Sequence, residues 1–177
     1  MRYIKLQVII TILVALKAHR YVIGVDGGAT KTVALIGSEN GKILGRGESG
    51  PSNYHNIGTG AASTAVREAV RKAKRRAGVR GSAEVAVVAL AAVDSKRDRA
   101  IVLRSIRDIK IARTILVIHD SVAALRAATQ EGPCVIVISG TGCVAAGVNR
   151  AGRYVRVGGW GYLIDDEGSA YKIGAQA

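Results

Sequence analysis

A short stretch near the amino terminus carries the groups that can hold a polyphosphate together with a metal ion. It lies between two apolar runs, so we expect it to be a turn that joins two β-strands. Its adjacent glycines let the backbone approach a ligand, its hydroxyls and lysine can donate to phosphate oxygens, and its carboxylate can hold a hydrated cation such as Mg²⁺. The residues of this first loop are Asp26, Gly27, Gly28, Thr30, Lys31 and Thr32. The alternative is an ordinary hairpin with a Gly-Gly turn.

A second glycine-rich turn and a carboxylate extend this chemistry. Ser139-Gly140-Thr141-Gly142 offers backbone N–H groups and hydroxyls after another apolar run. Asp120 follows the predicted buried strand 114–118, and ligands of open α/β sheets bind at the carboxyl ends of the strands. Two phosphate turns with a carboxylate between them suit phosphoryl transfer, in which the carboxylate orients and deprotonates an attacking hydroxyl. The alternatives are a helix N-cap for Asp120, which is compatible with catalysis, and a plain hairpin turn for Gly140-Thr141-Gly142.

The hydrophobic periodicity predicts the elements that position these groups. Apolar runs indicate strands, and apolar residues at spacings of three and four indicate helices. The order β-β-β-α-β-α-β-α is followed by β-β-β-α, and the strand-turn-strand unit recurs with a Gly-Thr turn, so we predict an internal duplication of architecture. The predicted strands are 21–25, 32–38, 42–47, 85–91, 114–118, 134–138, 143–148 and 153–157, and the predicted helices are 59–77, 94–107, 121–128 and a last one from Ser169.

One apparent motif is rejected. Residues 45–50 match the dinucleotide-binding pattern G-x-G-x-x-G. Pro51 follows, however, and residues 52–55 show no helical period, so we expect that no helix opens there. The fingerprint requires its glycines to open a helix.

The composition fits a folded protein without a disulfide framework. Of the 177 residues, 49% are hydrophobic, which is enough for a sizeable core. Cys134 and Cys143 lack the spacing of metal ligands and favour a reducing interior. Absent phenylalanine, sparse cysteine and abundant arginine, valine and isoleucine favour a thermophilic source.

The net charge of +13 comes mostly from residues 67–80 and 96–113. We interpret these residues as the solvated faces of two helices. A nucleic-acid or acidic-membrane surface is the alternative. Few aromatic residues accompany the basic ones, so binding of nucleic acid is not favoured. An acidic partner or a missing segment is a third explanation of the charge.

We predict three segments. Residues 1–20 form an extension outside the fold, because their apolar run at 8–16 is too short for a transmembrane helix; a membrane tether is the less favoured alternative. Residues 21–132 form a first domain. Residues 133–177 form the beginning of a second, incomplete domain.

Four motifs in series resemble those of a known family. They are D-G-G-A-T-K-T at 26–32, H-D at 119–120, S-G-T-G at 139–142, and G-G-W-G at 158–161 with D-E-G-S-A-Y at 166–171. Residues 21–177 resemble the N-acetylglucosamine kinase group of the BadF/BadG/BcrA/BcrD-type ATPase family, within the actin–hexokinase superfamily. The stretches S-G-P-S-N-Y-H-N at 49–56 and D-S-K at 94–96 resemble especially archaeal hexokinases of broad sugar specificity. The resemblance implies an α/β, ribonuclease H-like (actin-like ATPase) domain, with a mixed sheet covered by helices on both faces, followed by the start of a similar domain.

The resemblance also implies an activity and roles for single residues. It implies ATP-dependent phosphorylation of a hexose or an amino sugar with Mg²⁺, a cytoplasmic location and, in full-length relatives, a homodimer. The implied catalytic base is Asp120, and Asp26 would lie near Mg²⁺. The implied phosphate-binding residues are those of the first loop together with Gly140, Thr141, Gly142 and Cys143. The implied sugar contacts are Asn53, Asp94, Asp120 and Asp166.

The chain also departs from the family. Ala29 stands where many relatives have a third glycine, and Cys143 replaces the usual serine. Relatives continue well past residue 177, so we expect a kinase whose remaining half is missing or encoded separately. Two other functions stay open. One is an ATPase activator of the same family, a kind of protein that uses cysteines to hold an iron–sulfur cluster between subunits, and only Cys134 and Cys143 are available here. The other is a non-catalytic basic fragment.

Overall fold

The computed structural model describes residues 21–91, 93–129 and 131–177. The predicted extension at residues 1–20 lies outside the described residues. The strands are β1 (Tyr21–Gly27), β2 (Thr32–Ser38), β3 (Ile43–Ser49), β4 (Ala83–Leu90), β5 (Ala112–His119), β6 (Cys134–Ser139), β7 (Cys143–Val148) and β8 (Tyr154–Gly158). The helices are α1 (Tyr54–Ala77), α2 (Lys96–Arg107), α3 (Asp120–Ala128) and α4 (Ala170–Gln176). Among these helices, none combines the length and the apolar character needed to cross a membrane.

The first sheet has the strand order β3-β2-β1-β4-β5. β1 to β3 form an antiparallel meander, whereas β4 and β5 add in parallel to β1. Helices α1 and α2 cover one face, and Ala123 of α3 packs into the apolar cluster of the other face. Because both faces are covered, β1, β2 and β4 are apolar almost throughout. The predicted mixed sheet with helices on both faces is confirmed.

Two glycines of β3 let α1 lie directly on the sheet. A Cβ atom on Gly45 would lie 2.3 Å from the carbonyl oxygen of Ala73, and one on Gly47 would lie 2.0 Å from that of Ala69. Real Cβ atoms do not approach backbone that closely. These two members of the rejected dinucleotide pattern therefore serve helix–sheet packing.

The start of α1 corrects two sequence-based expectations, namely a helix from Thr59 and no helix at residues 52–55. The helix begins at Tyr54, and the side chain of Asn53 caps it by accepting a hydrogen bond of 3.1 Å from the N–H of His55. Gly58 then interrupts the helix with a left-handed φ of 78°. The first turn is too short to show a period of 3.6 residues, so only the cap residue marks it in the sequence.

The second sheet contains β6, β7 and β8 in that order, all antiparallel. Helix α3 packs against β6 and β7 as well as against β4 and β5, so it lies between the two sheets. The other face of the second sheet carries valines that are 60–76% exposed, namely Val135, Val137, Val155 and Val157. Alternation along β6 and β8 places these four side chains on one face. We call this surface the valine face.

Candidate functional site

The register of the parallel strands brings two predicted site carboxylates to one edge of the first sheet. Gly27 pairs with Leu90, and Leu90 pairs with His119. Asp26 and Asp120 are the neighbours of Gly27 and His119 in sequence, so both lie where parallel strands end. The sequence motifs predicted each of them separately, and the register explains why they lie at the same edge.

Asp26 is buried at the carboxyl end of β1, with 6% of its surface exposed. In the ladder it is paired with Val33 of β2 and Ala89 of β4. Mg²⁺ is commonly held by one or two carboxylates together with substrate phosphates. A carboxylate held within a central strand, directly before a phosphate-type loop, fits that donor set.

The first loop is a tight β1–β2 connection closed by a hydrogen bond of 3.0 Å from Gly28 N–H to the Lys31 carbonyl. Ala29 and Thr30 are its exposed residues. Ala29 does not adopt a left-handed φ, so replacement of the family's third glycine introduces no backbone strain. Lys31 lies on the β3 side, with Nζ 3.6 Å from Oε1 of Glu48.

Two residues of the first loop point into the protein. A Cβ atom on Gly27 would lie 2.1 Å from Oγ of Ser52, so Gly27 is required by packing. Thr32 is fully buried, and its hydroxyl lies 2.8 Å from both the Gly50 carbonyl and Oγ of Ser52. The structure thus gives Thr32 a bracing role inside the fold, and leaves Thr30 as the exposed hydroxyl of this loop.

The second loop is braced by one buried carboxylate. The Gly140 N–H donates to the Gly142 carbonyl at 2.9 Å, and Thr141 is exposed at the tip. Asp166 is 6% exposed, has a left-handed φ of 64°, and accepts a hydrogen bond of 3.0 Å from the N–H of Cys143. Asp166, predicted as a sugar contact, therefore shapes the second loop. A non-glycine residue with positive φ is uncommon and is kept where the surroundings require it.

Asp120 begins α3, and its neighbour His119 caps the helix. The His119 Nδ1 accepts a hydrogen bond of 3.1 Å from the N–H of Ser121, so the N-cap anticipated at Asp120 is His119. Oδ1 of Asp120 lies 3.1 Å from Nδ1 of His119. Because the carboxylate of Asp120 does not cap the helix, it is available to a ligand at this edge of the sheet.

Asp94 lies in the loop after β4 and is part of a polar network between the two sheets. Its Oδ1 lies 3.2 Å from Nε2 of His119 and accepts a hydrogen bond from Arg156 of β8. His119 and Arg156 were not predicted as site residues. The H-D motif contained His119 but carried no role for it, and nothing in the sequence pairs Arg156 with residues so far along the chain.

A hydrogen bond joins the first turn of α1, which Asn53 caps, to α2, which follows Asp94. Asn53 caps that turn, and the hydroxyl of Tyr54 donates to Oδ1 of Asp98 at 2.5 Å. Desolvation and this hydrogen bond raise the pKa of Tyr54 to about 12. Ser95 caps α2 in a capping box with Asp98. The loops that carry the two predicted sugar contacts are thereby joined.

The network makes a prediction for acid stability. Partial burial alone would raise the pKa of Asp94, but the hydrogen bond from His119 and the charge of Arg156 outweigh it, so the pKa is lowered. A carboxyl with a lowered folded-state pKa stabilises the fold above its unfolded pKa of about 3.9, and that contribution is lost as pH falls through the folded value. We expect Asp94→Asn to show a shallower loss of stability than the wild type below about pH 4, measured as urea midpoints. Glu39→Gln, in an exposed turn, is the control; parallel wild-type and Asp94→Asn curves would contradict the assignment.

Comparisons with known proteins show which family the chain is similar to. The model of the BadF/BadG/BcrA/BcrD ATPase family matches residues 23–177. An N-acetylmuramic acid/N-acetylglucosamine kinase of Clostridium acetobutylicum is 34% identical over 160 residues, which cover 89% of this chain and 52% of that protein. An N-acetyl-D-glucosamine kinase of Dictyostelium discoideum is 37% identical over 162 residues, which cover 86% of this chain and 51% of that protein.

A solved structure shows the same fold. A Chromobacterium violaceum protein, provisionally assigned as an N-acetylglucosamine kinase, superposes with a TM-score of 0.72 at 25% identity. The match covers 89% of this chain and 55% of that protein, and it confirms the predicted ribonuclease H-like, actin-like ATPase fold. The chain spans about half the length of the curated relatives it matches. Because the family model runs from β1 to the last residue, the chain belongs to the BadF/BadG/BcrA/BcrD ATPase family.

Proposed function

We propose that this chain forms the catalytic half of a sugar kinase that transfers a phosphoryl group from ATP to a hydroxyl of a hexose or N-acetylhexosamine. The observation that carries the proposal is the placement of Asp26 and Asp120 at one edge of the first sheet by the strand register. The kinases at 34% and 37% identity support the choice of substrate class. Use of ATP fits a cytoplasmic location.

In this proposal Asp120 orients the attacking sugar hydroxyl and accepts its proton. Asn53 and Asp94 contact the sugar, because their amide and carboxylate groups suit vicinal hydroxyls. A sugar contact of Asp166 stays a prediction, whereas its bond to Cys143 N–H supports a role in shaping the second loop.

The two loops would hold the ATP phosphates. Thr30, Lys31 and the backbone of the first loop donate from one side, and Gly140 to Cys143 donate from the other. Bound Mg²⁺, for which Asp26 supplies a carboxylate, would neutralise charge on the transferred group. Placing these donors before reaction lowers the cost of charge that develops in the transition state.

We propose that residues 21–132 and 133–177 are the first domain and the start of the second. The valine face is then the surface that the rest of the second domain covers. In the first sheet, the helix that follows the three-stranded meander packs over β2 and β3. A large exposed apolar patch commonly marks an interaction site, and the occupant we propose is a C-terminal half carried on the same or a separate polypeptide.

Turnover tests the kinase proposal directly. ADP release is measured over a panel of hexoses and N-acetylhexosamines, with the chain alone and with the C-terminal halves of the Clostridium acetobutylicum and Dictyostelium discoideum kinases. We expect turnover of at least one sugar once a C-terminal half is present. Absence of turnover under all conditions would falsify the proposal.

Positive charge on the valine face is expected to weaken binding of the C-terminal half. The double variant Val137→Lys/Val157→Lys should weaken capture of the C-terminal half by roughly 100-fold or more, because two apolar contacts are lost. Thr64→Lys, on the exposed face of α1, is the matched control, since threonine has nearly the shape of valine. Light scattering of the chain alone completes the test. If the wild-type chain is a dimer and the double variant is a monomer, the valine face binds a second copy of the chain.

The cysteine positions argue against an iron–sulfur cluster held by both thiols of one chain. Cys134 begins β6 and Cys143 begins β7, where it pairs with Ser139 at the other end of the hairpin. At about 3.4 Å per residue, this register separates the two thiols by most of the length of the hairpin. They cannot ligate one cluster together within one chain.

A further inference from the structure

The outward sides of helices α1 and α2 form one basic surface. The two helices pack against each other on the same face of the first sheet. Because β3, β4 and β5 point in the same direction, the helices that connect them run side by side. Each helix carries a row of exposed cations, namely Arg67, Arg71 and Arg75 on α1 and Lys96, Arg104 and Arg107 on α2. We call these six residues the basic face.

The charge of the basic face is not neutralised within the described part of the chain. None of its six side chains forms an ion pair with a carboxylate of the described residues. Other cations of α1 serve the fold, since Lys72 and Arg76 donate to carbonyl oxygens of β3. Glu68 is the one acidic residue of α1, and the one acid of α2, Asp98, is bonded within its capping box. The basic face therefore presents a surplus of positive charge to solvent.

The composition of this surface indicates the class of its partner. The large apolar side chains that are exposed lie on other elements, and none of them belongs to α1 or α2. A protein interface needs buried aromatic or apolar anchors, and a helix that inserts into a membrane needs an apolar face. Residues 59–77 and 96–107 also contain no aromatic ring on which unpaired bases could stack. These absences favour a partner that is bound through its phosphates alone, as the backbone of a nucleic-acid duplex is.

The spacing of the basic face fits such a backbone. Successive arginines of the α1 row are four positions apart, which is about 6 Å along the helix axis. One strand of a duplex presents a phosphate about every 3.4 Å along its axis, so each arginine can reach about every second phosphate. Packed helices lie about 8–10 Å apart, between the widths of the minor and the major groove, about 6 and 12 Å. The two rows can therefore follow the two strands that border one groove.

We propose that the basic face binds the phosphate backbone of double-stranded nucleic acid without reading its sequence. Arginine suits this contact because its guanidinium can donate two hydrogen bonds to one phosphate. The scarcity of aromatic residues argues against binding of single strands, whereas contact with a duplex backbone needs none. The inference goes beyond the proposed kinase activity and does not depend on it, because no residue of the basic face is among the predicted site residues.

The salt dependence of duplex binding tests the proposal. Retention of random-sequence duplex DNA by the full chain is measured by filter binding between about 50 and 200 mM salt. We expect the logarithm of the binding constant to fall linearly with the logarithm of the salt concentration. The slope should be about −5 if each of the six side chains neutralises one phosphate. Duplexes of different sequence should bind equally, since the contacts do not reach the base edges.

Double variants that each remove two charges locate the surface. A variant in either row should make the slope shallower by about 2 and weaken binding by roughly tenfold or more at about 0.1 M salt. Glutamine has nearly the helix propensity of arginine, so both helices should still fold. A control in the exposed turn between β7 and β8 should leave the slope unchanged. The variants are Arg71→Gln/Arg75→Gln in the α1 row, Arg104→Gln/Arg107→Gln in the α2 row and, as the control, Arg150→Gln/Arg153→Gln.

Several outcomes would overturn the proposal. Equal losses in the control and in the two row variants would show that net charge, and not the basic face, retains the duplex. Tighter binding of single-stranded than of duplex DNA, or binding of phosphatidylserine vesicles without binding of the duplex, would point to a different partner. No salt-dependent retention of the duplex even at about 50 mM salt would refute duplex binding altogether. Since ADP release is not measured, none of these results bears on the kinase function, and the two failures are distinguishable.

Discussion

Replacement of Asp120 by Asn is expected to lower kcat for phosphoryl transfer by about 10²–10⁴-fold, the usual contribution of a positioned general base. The amide keeps the shape of the side chain and can still contact a sugar hydroxyl, but it cannot accept the proton. KM for the sugar should therefore change much less than kcat. The measurement is initial rates of ADP release from the assembled kinase with N-acetylglucosamine and with glucose.

The fold should survive this substitution. His119, not Asp120, caps α3, so loss of the charge removes its interaction with the helix amino terminus, about 0.3–1 kcal/mol, and alters its contact with Nδ1 of His119. Asp108→Asn, at the exposed carboxyl end of α2, is the matched control and should keep full activity. An Asp120→Asn enzyme with wild-type kcat would show that another group takes the proton.

Gly47→Ala is expected to destabilise the chain by about 3 kcal/mol, at the upper end of the cost of overpacking. The added methyl group would lie 2.0 Å from the Ala69 carbonyl oxygen and 2.5 Å from the Ala73 nitrogen, both in the backbone of α1. Since backbone cannot rotate away as a side chain can, α1 must move off the sheet. Thermal unfolding followed by circular dichroism should show a midpoint lowered by roughly 6–12 °C.

Another glycine in the same region provides a control, because its replacement is expected to raise the stability of the chain. Gly60 lies in α1 beyond the break at Gly58, and a Cβ atom there would contact nothing within 4 Å. Gly60→Ala should stabilise the chain by about 0.5–1 kcal/mol, because alanine favours the helix. Equal melting temperatures for the Gly47 and Gly60 variants would contradict the packing argument.

The sequence predicted the succession of strands along the chain because β-branched runs are long enough to show their pattern. That pattern alone predicts β1, β4 and the position of Asp120 at the edge of the sheet. The first turn of α1 was missed because Gly58 separates it from the regular helix. Asn53 was predicted as a sugar contact. In the structure it caps this turn, a role that does not depend on a ligand.

The polar contact between the two sheets could not be predicted from the sequence. Arg156 and His119 are 37 positions apart in the chain and belong to different sheets. Their contact depends on how the second sheet docks beside α3, which no local period encodes. Likewise, a threonine in a phosphate-type loop gives no sign that its hydroxyl faces inward, as that of Thr32 does.

The hydroxyl of Thr32 has a consequence for how two ligands affect each other. It joins the end of the first loop to Ser52, whose N–H also donates to the Gly28 carbonyl at 3.0 Å, and Ser52 precedes Asn53 directly. In the proposed kinase, a nucleotide that orders the first loop would therefore also order the segment that would meet the sugar. Thermodynamic linkage requires this effect to be reciprocal. Cooperativity between the donor and acceptor substrates would thus arise within the first sheet, without closure of one domain on the other.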